Sequence, residues 1–276
     1  MTRTFFEDVC MRNRLPISAV AATVALLHTF PPVIIAGEHP LSAEARGKMS
    51  ADFRAEIETL NAAIKEAPDN VGMYSRRGDT NFFLGRFAES LADYEKMVEL
   101  DEQQGPSHWR RGIARFYAEK FPAAAKQFEE YHTFDDVDRE NGIWRYFSQF
   151  RAYGRDKAQA GLLKYEKTDR EPFPSVYKLF SGDLSPKQVL KLIDDADISE
   201  TETEKRLFYV HLYIGLHHAL EDRDEAAIEH LTKSTANQWG PRSGYGPHYM
   251  WHVGRLHYDL LVEKKKTKDA DRKSKP

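Results

Sequence analysis

Residues 71–138 of this chain match themselves when shifted by 34 positions. Arg76-Arg77-Gly78 returns as Arg110-Arg111-Gly112, Phe82 as Phe116, Phe87 as Phe121, Glu95 as Glu129 and Asp101 as Asp135. Between them lie conservative exchanges: Tyr74 with His108, Phe83 with Tyr117, Arg86 with Lys120, Tyr94 with Phe128. A unit of this length holds two antiparallel helices, and its neighbours must cover what it cannot bury alone. The apolar spacing gives helices over about 71–84 and 87–100, then 107–119 and 122–134. Gly78 and Gly112 fall in mid-helix, where glycine costs about 1 kcal/mol against alanine. Two glycines at one repeat position therefore need a reason.

The period and the single positions resemble the tetratricopeptide repeat family. That pattern asks for a large residue at position 4, small ones at 8 and 20, and aromatics at 17 and 24. Tyr74, Gly78, Phe87, Ser90 and Tyr94 fill these slots first; His108, Gly112, Phe121, Ala124 and Phe128 fill them second. The helix-ending proline at position 32 is replaced by Glu102 and Asp136. The resemblance implies an all-α helix-turn-helix solenoid, with position 8 as the closest approach of the paired helices. It also implies a partner-binding groove on the first helices, lined here by Ser75, Asp79, Phe82 and Phe83, then Trp109, Ile113, Phe116 and Tyr117. Trp109 is the leading anchor, because buried aromatics dominate protein interfaces. Family members that hold chaperone tails use a Lys-Asn-Asn-Lys-Arg set, which Ser75 and Asp79 do not match.

Elsewhere the repeats are worn. Ala51 to Ala67 carries Phe53, Ile57, Leu60 and Ile64 on one face and ends at Pro68, reading as the second helix of a repeat without its first. A degenerate third repeat covers 139–172, with helices expected at 141–153 and 157–165. A short helix ends at Gly182, Ser185-Pro186 starts the next, and 194–204 reads as an acidic loop. A closing repeat at about 205–238 places Gly215 in the close-approach slot and Ala227 at position 20. Tyr249 to Leu261 is a last helix, expected to cap the open end of the stack. The helical domain thus spans 51–262, between a flexible lead-in at 37–50 and a disordered basic tail at 263–276.

The first 36 residues read as an export signal or an amino-terminal anchor. Arg12 and Arg14 precede the apolar run 17–27; Pro31-Pro32 breaks it, and Ala36 offers a small residue for cleavage. His28 and the two prolines weigh against a membrane span. Met1 and Met11 are both candidate starts. The single cysteine, Cys10, precedes the run, so the mature chain would carry neither a lipidated cysteine nor a disulfide. The expected location is the periplasm or cell envelope, with membrane attachment only if the segment stays uncleaved.

From Ala123 onward the order of features resembles the bacterial NlpI-type envelope lipoproteins. It carries a degenerate third repeat, the connector Leu179-Phe180-Ser181-Gly182-Asp183-Leu184-Ser185-Pro186, an acidic loop, Phe208-Tyr209, and the closing repeat at Asp224 to Leu231. That resemblance implies a homodimeric adaptor for cell-wall hydrolases and a processing protease. The missing lipidated cysteine departs from it.

Catalytic constellations are not evident. No phosphate-binding glycine loop or nucleophile elbow occurs, and Asp135-Asp136-Val137-Asp138 lacks the glycine and distal glutamate of a calcium loop. Net charge is −3, which gives no reason to expect nucleic acid. His248 and His252, four apart, are a candidate metal pair; the competing reading is packing at helix interfaces. Arg76, Arg77, Arg110 and Arg111 could grip partner carboxylates, or pair internally with Asp93, Glu95, Asp101 or Glu129. The expectation is a non-catalytic adaptor without a cofactor; the alternative is a metal-binding protein or metal-dependent enzyme that uses the carboxy-terminal histidines.

Overall fold

A computed structural model describes residues 39–274; the signal or anchor reading, Cys10 and both candidate starts lie outside these residues. Among the described residues the chain forms helices joined by short turns, with no strand. Helix α1 (Ala43–Glu66) leads into the pairs α2 (Val71–Phe83) with α3 (Phe87–Leu100), and α4 (Trp109–Tyr117) with α5 (Phe121–Phe134). Next come α6 (Arg139–Tyr153), the short α7 (Arg155–Ala160), α8 (Phe173–Ser181) and α9 (Pro186–Asp194). The pair α10 (Glu200–Leu220) and α11 (Asp224–Ala236) follows, and α12 (Tyr245–Ser274) ends the described chain. This is an all-α solenoid of tetratricopeptide type.

Three periodic devices build the pairs, though not every pair has all three. The first is close approach. A Cβ on Gly78 would lie 2.6 Å from the Tyr94 ring, one on Gly112 2.5 Å from Phe128, and one on Gly215 2.7 Å from Leu231. Each contact joins residues 16 apart, so the mid-helix glycines let two backbones meet across one ring or one leucine. The second is the turn seven residues later, where Gly85, Glu119 and Asp222 all take positive φ (75°, 58° and 55°). There the backbone amides of Arg86, Lys120 and Arg223 bond back to the carbonyls of Asn81, Arg115 and His218.

The third device is a ladder of arginines, each reaching 16 residues back and 16 forward. Arg77 donates to Asn61 (2.9 Å) and Asp93 (2.6 Å). Arg111 donates to Glu95 (3.4 Å) and Gln127 (2.7 Å). Arg145, which sequence reading missed, pairs with Glu129 at 3.6 Å and donates to the Gly161 carbonyl. These side chains tie a first helix to the second helices on either side of it.

The third repeat departs from this plan at one residue. Tyr146 stands where Gly78 and Gly112 stand, and its buried ring packs on Phe180 of α8 at 5.3 Å. No second helix can approach at that level. The helix expected over 157–165 therefore stops at Ala160, and α8 covers the face instead.

Three further expectations are corrected. The lead-in is not flexible from residue 39 onward: Ser42 caps α1, and Leu41 and Met49 pack on the core. Residues 200–204 are not loop but the first turn of α10, where Ser199 caps and Glu200 and Glu202 suit the positive helix end. The basic tail continues α12 to Ser274. Lys264 bonds to Asp222 (3.1 Å) and Asp224 (2.9 Å), and Lys268 to Asp224 (3.1 Å), fastening it to the start of α11.

Helix α12 packs on α11 as the closing helix of the stack, the Trp251 indole donating to the Thr235 carbonyl at 2.9 Å, and it also reaches back along the first helices. Tyr249 stacks on Phe82 (4.9 Å between centroids), His252 on Phe83 (4.0 Å), and Phe53 of α1 meets His252 (5.5 Å). His39 reaches Asp259 at 2.9 Å. Five consecutive residues, Tyr249 to Val253, are buried, so every face of the helix at that level meets protein. A helix apolar all round must be enclosed, and this closing helix is enclosed at that level.

Candidate binding channel

The predicted groove residues divide into two groups. Ser75, Asp79, Phe82 and Phe83 are covered by the chain itself and closed to a partner. Asp79 accepts from the Tyr94 hydroxyl (2.6 Å), Arg110 (2.7 Å) and the Tyr245 hydroxyl (2.6 Å), while Ser75 accepts from Arg110 (3.0 Å). Phe82 and Phe83 lie under Tyr249 and His252. Trp109, Ile113, Phe116 and Tyr117 instead line space that α12 leaves open.

That space is two cavities, of about 370 and 310 Å³. The first is walled by Trp109 and Ile113 of α4, Glu140 and Trp144 of α6, Lys205 and Tyr209 of α10, and Pro247 and Met250 of α12. The second is walled by later residues of the same helices: Phe116 and Tyr117, Trp144 and Phe147, Leu216 and Leu220, His257 and Leu261. So α12 runs parallel to α4, α6 and α10. Trp144 lines both cavities, so the two open on either side of one indole.

The cavities differ in chemistry. The second joins aromatic and leucine side chains to two acids, Glu119 and Asp222, and two bases, Arg151 and Lys264. Tyr117 and His257 pair at 3.0 Å, and burial holds His257 down at about 4, so the imidazole is neutral near pH 7.

The first cavity carries three of the chain's four tryptophans, Trp109, Trp144 and Trp239. Beside them lies a charged cluster. Asp138 caps α6, accepting from the Glu140 amide (3.0 Å) and from Asn141 (2.6 Å). Arg170 bonds Asp138 (3.2 Å) and Glu140, lies 3.4 Å from Asp169, and its guanidinium rests on the Phe173 ring at 4.3 Å. The Tyr213 hydroxyl donates to Glu140 at 2.5 Å. Burial, with Asp138 and Asp169 nearby, pushes Glu140 up to about 7 despite Arg170. Sequence reading missed this cluster because Glu140, Arg170 and Tyr213 are scattered over 74 residues with no shared spacing.

The remaining candidates are structural. Arg77 and Arg111 are rungs of the ladder, Arg110 is held by Asp79, and Arg76 pairs with Glu56 at 2.7 Å. Each already bonds a carboxylate or polar group of its own chain, which is the internal pairing that competes with a grip on partner carboxylates. Gly78, Phe87, Tyr94, Gly112, Phe121, Ala124, Phe128, Gly215 and Ala227 belong to the helix-pair interfaces or pack beside them. His248 and His252 are 4.7 Å apart between ring centroids, but Arg255 sits 3.1 Å from the His252 Nδ1 and Phe83 covers its ring. A cation beside the ligating atom opposes a metal ion, and no group of three or more metal ligands gathers among the described residues.

No protein-family model matches the chain. Over 93 residues it is 27% identical to the protein SGT1 homolog of Bos taurus, covering 34% of this chain and 28% of that protein. Over 157 residues it is 27% identical to Hsp70-Hsp90 organizing protein 3 of Arabidopsis thaliana, 54% of this chain and 28% of that one. Over 78 residues it is 31% identical to DnaJ homolog subfamily C member 7 of Mus musculus, 28% of this chain and 16% of that one. The chain therefore spans well under a third of the length of these curated relatives. The likeness supports the tetratricopeptide class of the repeats.

Proposed function

We propose that this protein is a non-catalytic scaffold that holds segments of partner proteins in the cavities beside α12. The observation that carries the reading is the first of them, where three tryptophans line one open cavity on the concave side of a helical-repeat stack. Tryptophan supplies large contact area at small entropic cost and is enriched at interface hot spots. The relatives, one named as an organizer of Hsp70 and Hsp90, support a role in protein association. Recognition of a chaperone tail through a carboxylate clamp is disfavoured, because Asp79 and its partners occupy that part of the groove.

The NlpI-type resemblance supports a finer reading: work in the periplasm or cell envelope after export, with envelope hydrolases or a processing protease as partners and a homodimer as the working unit. The positive flank and apolar run at residues 12–27 support export.

The test is capture of partners from native envelope extract by the full chain and by its Trp109→Ala/Trp239→Ala variant. Both tryptophans are half-buried at the first cavity, so the double variant keeps its helical content. Loss of defined partners by the folded variant is expected. Undiminished capture would exclude this cavity as the binding surface.

A further inference from the structure

We propose that His211 and His230, which face each other across the α10–α11 pair, bind a divalent copper ion. Neither ring lines either cavity, so the inference goes beyond the scaffold reading and does not rest on it. The pair is also distinct from His248 and His252.

Geometry carries the assignment. The two Nδ1 atoms stand 2.9 Å apart, with ring centroids 5.0 Å apart and ring planes tilted by 45°. The helices fix that spacing. His211 sits between the fully buried Val210 and Leu212, and His230 precedes the fully buried Leu231. Gly215 brings the two backbones together over that same leucine, 2.7 Å from where its Cβ would lie. Two nitrogens on adjacent corners of a square-planar ion, each about 2.0 Å from it, stand about 2.8 Å apart; a tetrahedral ion would spread them to about 3.3 Å. The observed separation matches the first. Copper also heads the affinity order of divalent ions for imidazole.

The surroundings agree. Both rings are half-buried, so one side of the pair is open to water, which completes the coordination. Neither ring makes another hydrogen bond, so both lone pairs can turn to one point. Without an ion, one Nδ1–H donates to the other Nδ1. Burial and the neighbouring imidazole hold His211 down at about 3; burial and Lys233 hold His230 at about 4. Both are thus neutral near pH 7, the form that binds a metal, and the shared proton moves to Nε2. The nearby charges of Glu229 and Lys233 pair with each other at 2.7 Å, unlike the cation set against His252. His218 packs on His230 at 5.7 Å between centroids but completes no three-ligand group, which speaks against a closed zinc site.

The experiment titrates the full chain with cupric chloride, read by calorimetry and by electron paramagnetic resonance. One ion per chain is expected, with a square-planar spectrum split by two imidazole nitrogens. His211→Ala and His230→Ala should each weaken binding at least about tenfold, and His248→Ala should leave it within about twofold. Circular dichroism checks that each variant is folded. Should an alanine variant unfold, the nitrogen count in the wild-type spectrum decides. Equal copper binding by the wild type and both folded variants would overturn the proposal and mark an adventitious ion only. A spectrum split by a single nitrogen, or no binding to the folded chain, would overturn it as well and leave the imidazole pair as a hydrogen bond between helices.

Discussion

Replacing Tyr249 by alanine tests whether α12 is part of the core or an accessory at its edge. The ring is 0% exposed and touches residues from two repeats: Phe82 at 4.9 Å, Phe83 at 5.4 Å and Trp109 at 5.0 Å between centroids. A buried aromatic ring of about 150–200 Å² is worth about 4 kcal/mol at 25 cal/mol/Å², and measured large-to-small losses at such rings run about 3–5 kcal/mol. The hydroxyl contributes little by comparison. It lies 3.4 Å from the Tyr94 hydroxyl, a contact worth about 1 kcal/mol or less. Tyr249→Phe is therefore the control. Urea unfolding of the full chain, followed by far-ultraviolet circular dichroism, should show Tyr249→Ala destabilised by about 4 kcal/mol and Tyr249→Phe by about 1 or less. The alanine variant should also expose α1 to protease, because Phe53 and His39 are fastened to α12. A loss below about 1 kcal/mol for Tyr249→Ala would refute the placement, since that is the cost at an exposed cap.

Other expectations follow from the repeat devices and the buried titratable groups. Gly78→Ala should destabilise by about 1–3 kcal/mol in the same unfolding assay, although alanine favours helix by about 1, because its Cβ would lie 2.6 Å from the Tyr94 ring. Glu119→Gly should stabilise by about 1 kcal/mol, as a non-glycine residue held at φ 58° is strained; an unchanged melting temperature would contradict this. Burial holds His108 and His211 down at about 3 and His257 at about 4, so their neutrality stabilises fully above the unfolded value near 6.5 and is lost as pH falls toward 4. At pH 5 each costs about 2 kcal/mol. Glu140 works the other way: raised to about 7, it takes up a proton in the folded state first and returns about 2 kcal/mol between pH 7 and 5. The net expectation from these groups is a loss of about 4 kcal/mol between pH 7 and 5, increased by His217 and His230, which burial also holds down at about 4, and larger in Glu140→Gln; a flat stability profile would contradict it.

What the sequence shows of this fold follows from which interactions repeat. The contacts of Gly78 with Tyr94 and Gly112 with Phe128 recur at one spacing, so the self-match exposes them directly. The left-handed turns at Gly85, Glu119 and Asp222 share a register too, but only one carries the glycine that would advertise it. Arg145 was hidden because Tyr146 destroys the repeat around it. The path of α12 was harder still. An apolar stripe says that a helix is covered, not by which surface. Yet Tyr249-Met250-Trp251-His252-Val253 has no polar face, and that run alone says that the closing helix is enclosed on every side at that level. The charged tail misled because bases without apolar neighbours read as solvated, while its anchor, Asp224, lies forty residues upstream of Lys264. The site was legible only in part. Trp109, Ile113, Phe116 and Tyr117 come from the periodic frame and line the two cavities, whereas Asp138, Glu140 and Arg170 meet through the worn repeat, where that frame gives no guide.

The placement of α12 along the first helices decides where any partner can bind, and proton–proton contacts between labelled rings test it most directly. With aromatic side chains labelled in the full-length protein, cross-relaxation is expected between His252 and Phe83, stacked at 4.0 Å, and between Tyr249 and Phe82, at 4.9 Å. Absence of both contacts, with the His252 and Tyr249 rings accessible to a soluble paramagnetic agent, would contradict the enclosed helix and the two cavities beside it.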